Sequence, residues 1–147
     1  MPVTTKPFLS LTAADLMTTP VVTLRQDMPL REAAALLAQE QISGAPVVDA
    51  EGRCVGVLSA TDFVRQVEDA GNQGSLSPPG LPEQSVASCM TPDPVAVEAG
   101  ANIRDVARVM LDAHIHRVGV VDEQRRLIGI VSTTDILAAV AYAGSVA

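Results

Sequence analysis

Val55–Phe63 reads VGVLSATDF and Ile128–Ile136 reads IGIVSTTDI. The two stretches lie 73 residues apart, and the same offset holds well beyond them. It maps Met17-Thr18 onto Met90-Thr91, Leu30 onto Ile103, and Pro46-Val47-Val48-Asp49 onto Gly119-Val120-Val121-Asp122, with no gap from Thr12 to Phe63. Self-similarity at a fixed period marks repeated supersecondary units. The chain therefore reads as two copies of one unit, residues 10–68 and 85–143, joined by a linker over 69–84.

Each copy has the same internal pattern. Thr12-Ala-Ala-Asp15 has the form of a capping box at the start of a short helix, and Ser85-Val-Ala-Ser88 occupies the equivalent place. A proline-containing turn follows, then a short β-type run, Val21–Leu24 or Val95–Val97. Leu30, Ala33, Ala34 and Leu37 fall at i, i+3, i+4 and i+7, and Ile103, Val106, Ala107 and Met110 repeat that stripe, which predicts an amphipathic helix. Two β-rich runs around a polar turn come next, and a final helix is predicted to begin near Thr61 or Thr134. The fold class is α/β, with two helix–β–α–β–β–α repeats. A unit of about 55 residues does not comfortably bury both faces of its sheet alone, so the copies are expected to pack about a pseudo-twofold axis. The linker DAGNQGSLSPPGLPEQ carries three prolines and three glycines, and is expected to be the most mobile internal segment and the first to be nicked by protease.

Composition removes several function classes. With 10 basic and 17 acidic residues the net charge is −7, against the basic surface that nucleic acids or anionic membranes require. No Trp, one Tyr and two Phe leave little on which to stack single-stranded bases. The longest apolar run, Ile136–Ala143, is far short of the ~20 residues of a spanning helix, and the N-terminal stretch lacks the pattern of a secretory leader. Cys54 and Cys89 form no CxxC pair, and a cytoplasmic location is expected. They align with Leu127 and Leu16, which predicts small buried hydrophobes, and Met110 aligns with Leu37, which predicts core. His114 and His116 share a face only in an extended segment and have no evident third ligand, so no metal site is expected. There is no GxSxG, no P-loop, and no His with an obvious Ser or Cys nucleophile; the chain is not read as an enzyme.

MTTPVVTL and MTPDPVAV open the two copies, and GAPVVDAEGRCVGVLSATDF and HRVGVVDEQRRLIGIVSTTDIL close them. In order, spacing and duplication these strings resemble the CBS domain pair, or Bateman module, over roughly residues 10–143. The resemblance implies a stand-alone regulatory module that binds adenine nucleotides or other adenosyl ligands in clefts between the copies and dimerises into a disc of four repeats. The nucleotide is then a regulatory ligand, with no cofactor beyond it. A ligand-free scaffold, or a separately encoded regulatory subunit acting on an unknown protein partner, is the alternative.

Ser132-Thr-Thr-Asp135 reads on its own as a helix start, with a cap and an acidic residue three later. The resemblance adds a ribose site on Asp135, because a carboxylate can accept from both ribose hydroxyls, with Ser132 and Thr134 toward the phosphate. His116-Arg117 stands where the first copy has Ser43-Gly44, and the resemblance gives Arg117 a phosphate, which its planar fork suits. The bland reading of Arg117 is a surface ion pair. The implied main cleft comprises Ile42, Ser43, His116, Arg117, Ser132, Thr134 and Asp135. A second and weaker cleft comprises Ser59, Thr61, Asp62 and Ile115, and lacks a basic partner. The stripes Leu30/Leu37 and Ile103/Met110 and the apolar helix Ile136–Tyr142 offer more apolar surface than one packed pair needs, so a homodimer is expected, with those helices near its interface.

Overall fold

The computed structural model describes residues 6–72 and 84–143, with 70–72 described as helical backbone only. A 3-10 turn at Phe8–Ser10 precedes α1 (Ala13–Leu16), β1 (Leu24–Arg25), α2 (Leu30–Glu40), β2 (Gly44–Val48), β3 (Cys54–Ser59) and α3 (Ala60–Asn72). The second copy follows as α4 (Val86–Cys89), β4 (Thr91–Pro92), β5 (Ala96–Glu98), α5 (Ile103–Ala113), β6 (Arg117–Val121), β7 (Leu127–Ser132) and α6 (Thr133–Tyr142). The predicted order recurs in both copies, with β4 as an addition. Helix α3 runs on through Gly71 to Asn72, past the predicted boundary at 68, and so takes in the first four residues of the predicted linker. The rest of the predicted linker, 73–83, lies outside the described residues.

The compact units and the sequence repeats are partitioned differently. One unit joins residues 6–21 to 95–143, and the other holds 22–72 with 84–94. Each repeat thus gives its first helix to the unit built on the other repeat. In the 22–94 unit the sheet order is β1-β2-β3-β4, with β1 parallel to β2 and β2-β3 and β3-β4 antiparallel. In the other unit the order is β5-β6-β7, and a single bridge from Thr18 to Ile130 stands where β4 pairs Thr91 with Val57.

Both cores use equivalent positions. Leu24, Leu30, Ala33, Leu37, Val47 and Leu58 are buried in one, and Val97, Ile103, Val106, Met110, Val120 and Val131 in the other. The exchanged helices complete them: Val86 of α4 is buried with the first set and Ala13 of α1 with the second. Cys54 and Cys89 are buried and unbridged. The stripes on α2 and α5 are therefore covered within their own units by sheet and exchanged helix, and are not surplus apolar surface left over for a dimer. Among the described residues, the large apolar side chains left exposed on the last helices are Val64 and Val67 on α3 and, at repeat-equivalent positions, Leu137 and Val140 on α6, with Tyr142 at the end of α6.

Local chemistry sets the boundaries. Helices α2 and α5 end at Gln41 and His114, both left-handed at φ 57° and 55°, with each amide donating back into the last turn. His is among the non-glycine residues enriched in that region, so His114 is a helix stop. Thr12 forms the predicted capping box with Asp15. Ser85 makes no such cap: residue 88 is a serine, which offers no carboxylate, and its hydroxyl instead donates to the Ser85 carbonyl at 2.8 Å. Asn102 caps α5 through the Asp105 amide at 2.9 Å, whereas Pro29 at the same place before α2 has no side-chain acceptor.

A methionine of each exchanged segment lies against a glycine of the hairpin. A Cβ at Gly129 would overlap Met17 Sδ and fall 2.8 Å from its Cγ; at Gly56 it would overlap Met90 Sδ and fall 2.9 Å from the Thr91 carbonyl. Gly129→Ala is expected to lower stability by about 1–3 kcal/mol through overpacking. Met17→Ala in the same chain should recover part of that loss, because Sδ and Cγ are then gone and only the Cβ of residue 17, 2.9 Å from the new methyl, still crowds it. Urea midpoints of the two single variants and the double variant measure the coupling.

Lys6 donates to Asp15 Oδ2 at 2.8 Å and the Thr12 amide donates at 2.9 Å, and together they hold the Asp15 carboxyl below its usual range. A depressed folded value stabilises the fold fully above the unfolded value, and that contribution disappears as pH falls through the folded one. The melting-temperature gap between the chain and Asp15→Asn should therefore be constant above about pH 5 and shrink below about pH 4. A gap that widens on acidification would contradict this.

Candidate functional site

The sequence places Ser-x-x-Asp where the last strand of each hairpin becomes the last helix, and the structure makes each a capping arrangement. In the unit of 95–143, the amide and hydroxyl of Ser132 donate to Asp135 Oδ2 at 2.8 and 3.0 Å, and the Asp135 amide donates to Ser132 Oγ at 3.2 Å. This satisfies free donors of the helix N-terminus and fixes the carboxylate in one orientation. The hydroxyl of Thr18, brought in by the exchanged segment, donates to the other oxygen, Oδ1, at 3.4 Å. The Thr133 amide donates to the His116 carbonyl at 3.0 Å, and Arg117 pairs in register with Ser132. Five predicted residues, His116, Arg117, Ser132, Thr134 and Asp135, therefore converge on the junction of β6, β7 and α6 within one unit.

The 22–94 unit repeats this frame with different occupants. The Ser59 amide and hydroxyl donate to Asp62 Oδ2 at 2.8 and 3.2 Å. Thr91 donates to Oδ1 at 3.5 Å, as Thr18 does to Asp135. The Ala60 amide donates to the Ser43 carbonyl at 2.7 Å, the counterpart of Thr133 and His116. Gly44 stands in place of Arg117, and a Cβ there would lie 3.1 Å from the Leu58 carbonyl oxygen and 3.2 Å from Ser59 Cα. Arg65 donates to Asp62 Oδ1 at 3.4 Å.

Three capping carboxylates can thus be compared. Asp15 is ion-paired with Lys6 and Asp62 with Arg65, while Asp135, among the described residues, has no ion pair. Capping alone does not single out a ligand site, since Asp15 has it too. What distinguishes Asp135 is an oriented carboxylate with no ion pair among the described residues, at a helix start whose capping serine pairs in register with Arg117.

The remaining predicted residues are distributed between the units. Ser59, Thr61 and Asp62 lie together in the 22–94 unit, as do Ile42 and Ser43; Ile115 lies in the other unit. Ile42 and Ile115 are half-buried, each packed against its own unit's core. His114 and His116 are exposed, and among the described residues no three of His, Cys, Asp and Glu are grouped to hold a metal ion. No helix among the described residues is long and apolar enough to cross a membrane.

The CBS-domain family model matches residues 13–69 and 86–142. The chain belongs to the CBS-domain family. It is 31% identical over 117 residues to protein MJ1232 of Methanocaldococcus jannaschii, covering 80% of this chain but only 35% of that protein's length. Among solved structures it is similar to CBSX2 of Arabidopsis thaliana in complex with AMP, with a TM-score of 0.76 at 28% identity over 89% of this chain and 96% of that one. It is also similar to the CBS domain pair of MJ0100 in complex with 5'-methylthioadenosine and S-adenosyl-L-methionine, with a TM-score of 0.71 at 26% identity over 88% and 95%.

Sequence reasoning did not single out Thr18, Thr91 or Arg65. The 73-residue offset aligned the two threonines, but only the exchange of segments carries each to a carboxylate of the other repeat. Arg65 is matched by Ala138, so repetition gave no hint of it.

Ser132→Ala should lower stability by about 1 kcal/mol through loss of the cap, and Ser132→Thr should keep most of it. Urea unfolding of both variants tests this. Equal stability of the alanine and threonine variants would show that the hydroxyl does not anchor α6.

Proposed function

We propose that this CBS pair is a regulatory module that binds an adenosine nucleotide, with the ribose on Asp135 and the phosphate on Arg117. The carrying observation is the Asp135 carboxylate, fixed through Oδ2 by Ser132 and with Oδ1 engaged only by Thr18 at 3.4 Å among the described residues. A vicinal diol supplies two O–H donors, which is what an oriented, acceptor-only carboxylate takes. The start of α6 favours a nearby anion, and Arg117, on the strand paired with Ser132, offers a planar fork suited to a phosphate. The AMP and adenosyl complexes of similar CBS pairs support the same ligand class.

The module has no catalytic role in this reading, and the nucleotide is a signal and not a resident cofactor. Binding shifts a conformational equilibrium in proportion to its differential affinity for the two states, and an unidentified protein partner reads the shift. A homodimer is part of the proposal, supported by the outward Val64, Val67, Leu137 and Val140. A cytoplasmic location is supported by the two unbridged cysteines.

Calorimetric titration with AMP and with adenosine tests the assignment. Asp135→Asn should weaken both ligands, because both carry the ribose. Arg117→Ala should weaken AMP roughly tenfold to a hundredfold, the equivalent of a charge-assisted hydrogen bond, and leave adenosine nearly unchanged. Equal losses from Asp62→Asn and Asp135→Asn would show equivalent sites, and no heat with any adenosyl ligand would favour a scaffold.

A further inference from the structure

The two Ser-x-x-Asp sites differ most in a residue that lies outside both motifs. Asp62 is nearly fully buried, at 4% exposure, and all its bonding capacity is engaged from within the unit. Oδ2 accepts from the Ser59 amide and hydroxyl, and Oδ1 accepts from Thr91 and from Arg65 Nη1 at 3.4 Å. Arg65 sits one turn along α3, at i+3, with its side chain 62% exposed. It reaches from the surface to cover the one oxygen that corresponds to the open acceptor of Asp135. At the equivalent place on α6 stands Ala138, exposed and without a donor.

We infer that Arg65 is a specificity-determining residue: it occupies the Asp62 carboxylate as an internal ligand, so that the chain takes an adenosine compound at Asp135 alone. This rests on the reading of Asp135 as a ribose acceptor. A diol arriving at Asp62 must displace a guanidinium from a carboxylate shielded from water. It offers two neutral donors in place of a charge-assisted bond, and leaves the buried charge without its counter-ion. The asymmetry of the pair then comes from two arginines in different places. Arg117 favours a phosphate in one unit, and Arg65 closes the diol acceptor in the other.

Titration with adenosine tests this, since a ligand without phosphate does not depend on Arg117. The unsubstituted chain should bind one adenosine. Arg65→Ala should bind two, while Arg65→Lys, which keeps the cation, should still bind one. The reciprocal variant, Ala138→Arg, puts the same side chain on exposed helix beside Asp135 and should weaken the first site tenfold or more. A folded Arg65→Ala chain that still binds one adenosine overturns the inference. If Arg65→Ala does not fold, Ala138→Arg decides, and an affinity equal to that of the unsubstituted chain overturns it. If the unsubstituted chain binds no adenosine, the ribose reading of Asp135 fails by itself. A site that appears in Arg65→Ala would then still uphold the role of Arg65, and continued silence would overturn it.

Discussion

A short helix returning from the other repeat is what allows each sheet of this protein to have an interior. In the 22–94 unit, Val86 of α4 is fully buried beside Leu30, Leu37 and Leu58. In the other unit Ala13 of α1 does the same beside Val106 and Val131. Burying a side chain the size of valine contributes about 1.5–3 kcal/mol, a large share of the net stability of a small domain. The segment that follows each helix seals the hairpin edge, as β4 in one unit and as the Thr18–Ile130 bridge in the other. Met17 and Met90 can approach Gly129 and Gly56 so closely only because glycine has no Cβ.

The same exchange builds the candidate site. Thr18 and Thr91 each follow an exchanged helix, and each donates to the aspartate at the start of the other repeat's last helix. The segments that complete each core therefore also contribute to each candidate site. The aspartates also serve two purposes at once. Through Oδ2 they accept from the serine at the helix start, and through Oδ1 they accept from the exchanged threonine, joined at Asp62 by Arg65. A carboxylate held this way is pre-organised, so a ligand need not immobilise it on binding.

Duplication makes both sites, and single substitutions make them differ. Gly44 and Arg117 occupy one position, and Arg65 and Ala138 another. Gly44 is constrained by the nearby Leu58 carbonyl, so a basic residue there would require the hairpin to shift. In the Asp135 unit the cation stands on the strand and the carboxylate has no ion pair among the described residues. In the Asp62 unit the cation stands on the helix and neutralises the carboxylate directly.

The sequence by itself determined the repeat, the order of its elements and the buried stripes, because hydrophobic periodicity and turn chemistry are local and each was written twice. It also placed Ser59, Asp62, Ser132 and Asp135 at helix starts, since capping depends on residues three apart. It did not reveal that the first helix of each repeat crosses into the other unit. That choice depends on which apolar face Ala13 and Val86 can complete, and the local pattern around them is the same in either partition. The partners of the aspartates were decided there as well. Thr18 meets Asp135 across 117 residues of chain, and Thr91 meets Asp62 across 29. Arg65 was within reach of Asp62 on any helix, but an exposed arginine at i+3 is ordinarily a solvated surface charge. Only the burial of Asp62 beneath it turns that pair into a difference between the two sites.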